Sequence, residues 1–145
     1  MKEKQELAKI KKQKIVRDEL KRIASTRKGK ITPQIVLANA RNKKSVLHKY
    51  FDWDDTIAAK KYRLWQARQL ISVSVEVIPH TNKEMRSFFN VKDESTGKSI
   101  YVTSDLALKV PDYVNQLISD AQHHISRLSN LLELLSKEYV KRKKK

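Results

Sequence analysis

The chain contains no cysteine and only two glycines. Without cysteine it cannot form disulfides, thiolate metal sites or a thiol nucleophile. Gly29 and Gly97 are far apart, so the glycine-rich loops that cradle nucleotide phosphates are also missing. The sequence therefore predicts no cofactor, no zinc module and no nucleotide-dependent chemistry.

Long apolar runs are missing as well. No stretch approaches the ~20 apolar residues that span a bilayer. The N-terminal residues MKEKQELAKIKKQK lack the apolar segment of a signal peptide. We expect a soluble protein with no membrane partner, located in the cytoplasm of a host cell or on its nucleoid.

Acidic side chains are scarce relative to basic ones. There are 32 Lys and Arg against 16 Asp and Glu, giving a formal net charge of +16. Residues 1–30 carry 12 basic side chains against 4 acidic ones, residues 31–71 carry 8 against 3, and residues 137–145 carry 6 against 1. The centre of the chain is close to neutral. This distribution predicts a polyanionic partner, with nucleic acid as the first choice.

The pattern of residues predicts an α+β fold in about one domain's length of chain. Residues 1–30 are expected to form a basic arm, partly helical or disordered, because their apolar stripe is thin. Residues 31–140 are expected to form a single domain, and residues 141–145 a basic tail. Within the domain we predict a three-helix module over 31–71, a three-stranded antiparallel meander over 72–103 and a long helix over 111–140.

Local signals place these elements. Thr32 followed by Pro33 is typical of a helix start, and that helix is expected to end near residue 42. Ser45 is a candidate cap for a second short helix, and a third is expected from residue 52 to about residue 71. The alternating residues SVSVEV (72–77) predict a strand, as do residues 86–91 and 99–103.

The stretch FDWDDTIAAKKYRL (51–64) groups three carboxylates around a tryptophan. One interpretation is a metal or acid/base site; the other is a helix start with Asp52 as the N-cap and Asp54 and Asp55 in the first turn. We favour the helix start, because a metal site needs carboxylates that converge from different elements. The four histidines show no ligand spacing with one another or with a carboxylate, so we expect no metal site and no enzyme.

The predicted C-terminal helix carries apolar residues at alternating steps of four and three. Two alternatives remain open: the stripe packs on the chain's own sheet, or it forms a homodimer. The candidate residues for oligomerisation are Val114, Ile118, Ala121, Ile125, Leu128, Leu132 and Leu135, and the same spacing continues to Tyr139.

Basic residues of the helical module are the candidate nucleic-acid contacts. Because lysine predominates, we expect contacts to phosphates more than to bases. The leading hypothesis is a DNA-binding regulator or nucleoid-like protein that binds double-stranded DNA. The alternative is an interaction adaptor or structural component that makes its contacts through the C-terminal helix and the sheet, while its basic arms meet an acidic protein partner. RNA binding ranks third, with Phe88, Phe89 and Tyr101 as candidate stacking residues. The candidate contacts are Lys28, Lys30, Arg41, Lys43, Lys44, Lys49, Lys60, Lys61, Arg63 and Arg68.

The helical module carries a specific pattern of residues. The pattern consists of Thr32, Pro33, Val36, Ala40, Arg41, Ser45, Leu47, His48, Phe51, Trp53, Asp54, Asp55, Ala58, Ala59, Tyr62, Arg63, Gln66, Ala67, Arg68, Leu70 and Ile71. It resembles a family of small phage and prophage-encoded proteins of unassigned function. The resemblance extends more weakly through the strands and the C-terminal helix, so that it covers roughly residues 31–140, and it implies a phage or mobile-element origin. The basic arm and the terminal KRKKK depart from the usual family member.

Overall fold

The computed structural model describes residues 1–53 and 56–144 and confirms the α+β class. The chain divides into two compact units, Met1–Lys109 and Val110–Lys145. In chain order the elements are α1 (Lys2–Ser25), β1 (Lys30–Ile31), α2 (Pro33–Ala40), a 3-10 turn (His48–Tyr50), α3 (Ile57–Val73), β2 (Val75–Val77), β3 (Glu84–Arg86), β4 (Phe88–Lys92), β5 (Ser99–Thr103), α4 (Ser104–Lys109) and α5 (Pro111–Lys143).

The segment expected to be an arm forms the continuous helix α1. Its first part, residues 1–15, is exposed along its whole length, whereas Val16, Leu20 and Ile23 are buried in the core. The Lys21 ammonium forms an ion pair with Glu76, and Arg17 donates a hydrogen bond of 3.0 Å to the carbonyl of Val75. The second half of α1 is therefore an integral part of the first unit.

Gly29 lies in the turn that follows α1. Its amide donates to the carbonyl of Ala24 over 2.8 Å, and its φ of +83° is a left-handed conformation that favours glycine. A Cβ at this position would lie 3.0 Å from Oγ1 of Thr103. The chain can therefore turn directly into β1, which pairs with β5.

The three-stranded sheet has the order β1, β5, β4, and both pairings are antiparallel. Its strand β5 spans the predicted residues 99–103, but one edge is β1, which lies at the predicted boundary between the arm (1–30) and the domain (31–140). Residues 72–77 were expected to begin the meander; instead, α3 continues to Val73, and β2 pairs with β3 as a separate two-stranded sheet. The predicted meander order is therefore wrong, because period-two alternation does not show which strands pair.

Helix α2 begins as predicted. The Thr32 side chain accepts a hydrogen bond of 3.3 Å from the amide of Ile35, and Pro33 occupies the first turn. The second predicted helix is only the 3-10 turn His48–Tyr50. Helix α1 contacts both α2 and α3, so it takes the place of that helix in the helical module.

Asp52 is not the N-cap of α3. The cap is Thr56, whose side-chain oxygen accepts a hydrogen bond of 3.2 Å from the amide of Ala59. Trp53 explains the later start, because its indole N–H donates to the carbonyl of His48 over 2.9 Å and its ring stacks on that histidine. These contacts hold Trp53 to the preceding 3-10 turn. Asp54 and Asp55 lie outside the described residues.

The core of the first unit joins side chains from its helices and its three-stranded sheet. Leu20, Ile31, Val36, Ile71 and Phe88 are essentially inaccessible to solvent. Because each comes from a different element, their burial holds the helical module against the three-stranded sheet.

The second unit consists of α5, a helix of 33 residues. At 1.5 Å per residue, a helix of this size is about 50 Å long. Tyr113 in its first turn is buried, but the large apolar residues from Ile118 onward are exposed. Most of the length of α5 therefore presents uncovered apolar side chains.

Candidate nucleic-acid interface

Helix α3 has two faces with different roles. Arg63, Ala67 and Ile71 follow one another at steps of four and are buried. On the opposite side, Lys61, Trp65 and Arg68 are exposed and follow one another at steps of four and three. Residues at these spacings share one face of a helix. The exposed face of α3 therefore combines two cations with an aromatic ring.

Tyr62 extends the aromatic part of this face. Its ring stacks on that of Trp65 with 5.6 Å between centroids and 15° between planes. The two residues keep 49% and 50% of their surface accessible, which is high for large aromatic side chains. We call Lys61, Tyr62, Trp65 and Arg68 the α3 face. The sequence shows the interleaving of cations and aromatics, but the stacking of the two rings emerges only in the structure.

Arg63 was expected to contact phosphate, but the structure places it in the interior. Only 5% of it is accessible, its Nε donates a hydrogen bond of 2.5 Å to the carbonyl of Asp52, and its guanidinium lies 5.2 Å from the centroid of the Trp53 ring. A buried arginine with these partners stabilises the approach to α3 and does not face a bound ligand. Its position two residues from Lys61 turns it to the opposite side of the helix.

Lys30 is also engaged within the protein. Its ammonium lies 3.2 Å from a carboxylate oxygen of Asp93 and 3.5 Å from one of Glu94, linking β1 to the β4–β5 hairpin. Asp93 also accepts hydrogen bonds from the hydroxyl and amide of Ser95, and these contacts, with those from Lys30, lower its pKa to about 2. Lys30 is therefore occupied in holding the hairpin, whereas its neighbour Lys28 is exposed.

The other seven candidate cations are exposed. Within residues 1–53 and 56–144, none of them forms a salt bridge, although Lys49 lies over the ring of Tyr50. An exposed cation without an acidic partner retains its charge for an external anion. The seven are Arg41, Lys43, Lys44, Lys49, Lys60, Lys61 and Arg68.

The strand aromatics proposed for RNA stacking are placed differently. Phe88 is buried in the core, and Tyr101 is partly buried against it. Phe89 is half-buried. Because a base needs an open ring face to stack on, the exposed pair on α3 suits that role better than the strands.

The candidate oligomerisation residues fall into two groups. Val114 is half-buried, whereas Ile118, Ala121, Ile125, Leu128, Leu132 and Leu135 are exposed. The exposed residues lie on one stripe of α5 together with Tyr139. The structure therefore leaves this stripe available to a partner.

The first unit also contains an apolar groove of about 430 Å³. Ile10 and Val16 of α1, Leu70 and Val73 of α3, and Val75 of β2 are among the residues that line it. None of the four residues of the α3 face is part of its lining. The groove is therefore separate from the α3 face.

Across the part of the chain that the structure describes, no group of three or more His, Asp or Glu side chains is arranged to hold a metal ion. No helix within that part is both long and apolar enough to cross a bilayer. No protein family model, curated protein or solved structure matches the chain. The resemblance to phage-encoded proteins therefore stays a prediction.

Proposed function

We propose that the protein binds nucleic acid without acting on it chemically, and that double-stranded DNA is its ligand. The observation that carries the proposal is the α3 face, where Lys61 and Arg68 flank two exposed aromatic rings. Exposed cations bind phosphates and release the condensed counterions of DNA. The exposed cations of residues 41–49 precede this helix in the chain and add positive charge to the same module.

The chemistry of the cations determines what is recognised. Lysine acts as a point charge, whereas base recognition in the major groove more often uses the planar groups of Arg, Asn or Gln. Five of the seven exposed cations are lysines. We therefore expect binding that depends weakly on DNA sequence, as in a nucleoid-like protein or a regulator that relies on phosphate contacts.

The test is fluorescence anisotropy of a labelled DNA duplex over a series of salt concentrations. Each phosphate neutralised should contribute about −0.9 to the slope of log K against log salt. Replacing both Lys61 and Arg68 with glutamine should therefore make the slope shallower by about 2. An affinity that does not change with salt would overturn the proposal.

The matched control replaces Lys98 and Lys109 with glutamine. Both are exposed and lie outside α2 and α3, and the change in net charge is the same. If the α3 face makes the contacts, the control retains nearly the native slope. If the salt slope becomes shallower by the same amount in both double variants, net charge rather than the α3 face determines affinity.

The Tyr62–Trp65 stack favours single-stranded DNA or RNA as a second candidate ligand. Stacking of a base on an aromatic ring contributes about 1–3 kcal/mol. If unpaired bases are bound, Trp65→Ala weakens binding of a single-stranded oligonucleotide by this amount and leaves duplex binding nearly unchanged. If the duplex is the ligand, the native protein prefers it over the single strand at every salt concentration.

A further inference from the structure

The stripe along α5 is a second surface that nucleic-acid binding does not use. Leu128 and Leu132, near its middle, have 65% and 66% of their surface accessible. Exposed apolar stripes of this length indicate an interaction site. The spacing of the stripe indicates that the partner is another helix.

In heptad terms, Ile118, Ile125, Leu132 and Tyr139 occupy the a positions, and Val114, Ala121, Leu128 and Leu135 occupy the d positions. Each a residue of an antiparallel pair faces a d residue of the partner, whereas each residue of a parallel pair faces its own copy. These two arrangements bring different side chains together, so the sizes of the seam residues distinguish them.

In one antiparallel register, all eight seam residues have a partner. Ile118 then faces the partner's Leu135, and Ile125 faces the partner's Leu128. The smallest seam residue, Ala121, faces the partner's Leu132, and the bulkiest, Tyr139, faces Val114. Layers that combine large with small side chains fill space evenly. A parallel pair would instead oppose two alanines in one layer, leaving a void, and two tyrosines in another.

The distribution of charged side chains along α5 also favours the antiparallel arrangement. Residues 137–145 carry six basic side chains against one acidic, whereas residues 111–121 carry Asp112, Asp120 and no basic side chain. A parallel pair would place two strongly cationic ends together, where like charges repel. In the register above, residues 137–145 lie beside the partner's residues 108–116, which carry one basic and one acidic side chain, so an antiparallel pair keeps the two cationic ends apart. The positions that follow each d residue, Asn115, Gln122, Ser129 and Ser136, are uncharged and do not oppose this arrangement.

We infer that α5 binds a second copy of this chain, and that the two helices form an antiparallel coiled coil centred between Ile125 and Leu128. The second copy is argued from two properties of the seam: its side-chain sizes match one another in this register, and the antiparallel direction keeps its two cationic ends apart. The inference does not depend on nucleic-acid binding, because none of the seam residues lies on the α3 face.

The mass of the full-length protein in solution is the first test. Light scattering should give twice the 17.0 kDa of one chain. Leu132→Asp should weaken the dimer by roughly 100-fold or more, because each copy would bury a carboxylate in the seam. Asn130→Asp makes the same change in charge away from the seam and should leave the dimer intact. A monomer at ~100 µM, or a trimer or tetramer, would overturn the inference.

The absence of native cysteine allows a direct test of orientation. Ile118→Cys and Leu135→Cys are prepared as separate variants, then mixed and equilibrated in a glutathione buffer. In the antiparallel register the two new thiols face each other, whereas two copies of Ile118 lie 17 residues apart, or about 25 Å along the helix. Cysteines with Cα atoms more than ~7 Å apart do not form a disulfide without backbone movement. The mixture should therefore give the cross-linked species, and each variant alone should not.

A cross-link that forms in each variant alone as readily as in the mixture would show a parallel pair and overturn the antiparallel arrangement. Circular dichroism of the reduced variants supplies the control for folding. Both sites are exposed in the single chain, so the helical signal should match that of the native protein. A dimer that forms no cross-link in either the mixture or the single variants would also contradict the proposed register.

Discussion

Arg63 and Arg68 lie five residues apart on α3 and should respond to substitution in opposite ways. Arg63→Met removes the hydrogen bond from Nε to the carbonyl of Asp52 and the packing of the guanidinium on the Trp53 ring. A hydrogen bond from a charged group contributes about 1.5–3 kcal/mol. The cation–π interaction contributes about 0.5–2 kcal/mol. The apolar methionine chain offsets part of these losses. We therefore expect a net decrease of about 2–4 kcal/mol in the free energy of unfolding.

Arg68→Met is the matched control, because Arg68 is exposed and on the α3 face. Its effect on stability should lie within about 0.5 kcal/mol. Its salt slope for DNA binding should become shallower by about 1, because one phosphate is no longer neutralised. Arg63→Met should keep the native slope at temperatures where it is folded.

Urea denaturation followed by circular dichroism measures the stability of both variants, and the anisotropy series measures the slope. Two results would refute the different roles of the two arginines. One is an Arg63→Met variant as stable as the native protein; the other is a folded Arg63→Met variant with the same decrease in salt slope as Arg68→Met. The first result would contradict a structural role of the buried guanidinium. The second would return Arg63 to the set of residues that bind phosphate.

Three further substitutions test the local structure. Thr56→Ala should lower the free energy of unfolding by about 1 kcal/mol through loss of the N-cap of α3; Thr56→Ser, which keeps the hydroxyl, should restore most of it. Gly29→Ala should lower the free energy of unfolding by about 2–3 kcal/mol, because alanine disfavours the left-handed backbone and its Cβ would approach Thr103. Gly97→Ala places no atom within 4 Å of the new Cβ and should lower it by about 1 kcal/mol. Thermal melts of both variants measure the difference. Asp93, with its pKa lowered to about 2, stabilises the fold above pH ~4, and this contribution disappears as pH falls toward 2. Asp93→Asn should therefore lower the free energy of unfolding at pH 7 by about 1–2 kcal/mol and make it depend less on pH between pH ~4 and pH ~2. An unchanged pH dependence in this range would show that the hairpin interactions are not coupled to folding.

The helix starts show where local signals suffice and where they do not. Thr32 caps α2 as predicted, because the capping hydrogen bond and the following proline are both local. The start of α3 was placed four residues too early, because Asp52 and Thr56 are both acceptable caps. The choice between them depends on Trp53, whose interactions with His48 hold it to the preceding turn. No local pattern records that pairing.

The sheet illustrates the same limit over a longer distance. Strand β5 spans the predicted residues because its alternation and the turn before it are local features. Its partner β1 lies about 70 residues earlier and contains only Lys30 and Ile31. Two residues are too few to show an alternation of polar and apolar side chains, so β1 cannot be detected in the sequence. It forms because its backbone pairs with β5. Lys30, a candidate phosphate ligand by its sequence, is consequently the partner of Asp93.

The sequence by itself determined the α+β class, the excess of positive charge and the heptad seam of α5, because each depends on residue type and spacing along the chain. The tertiary structure decided which of those residues remain available to a partner. It buried Arg63 and left Arg68 exposed, paired Lys30 with carboxylates, stacked Tyr62 on Trp65, and left the seam uncovered from Ile118 onward. The physical reason is that exposure and ion pairing depend on neighbours that are distant in sequence, and those neighbours are fixed only when the chain has folded.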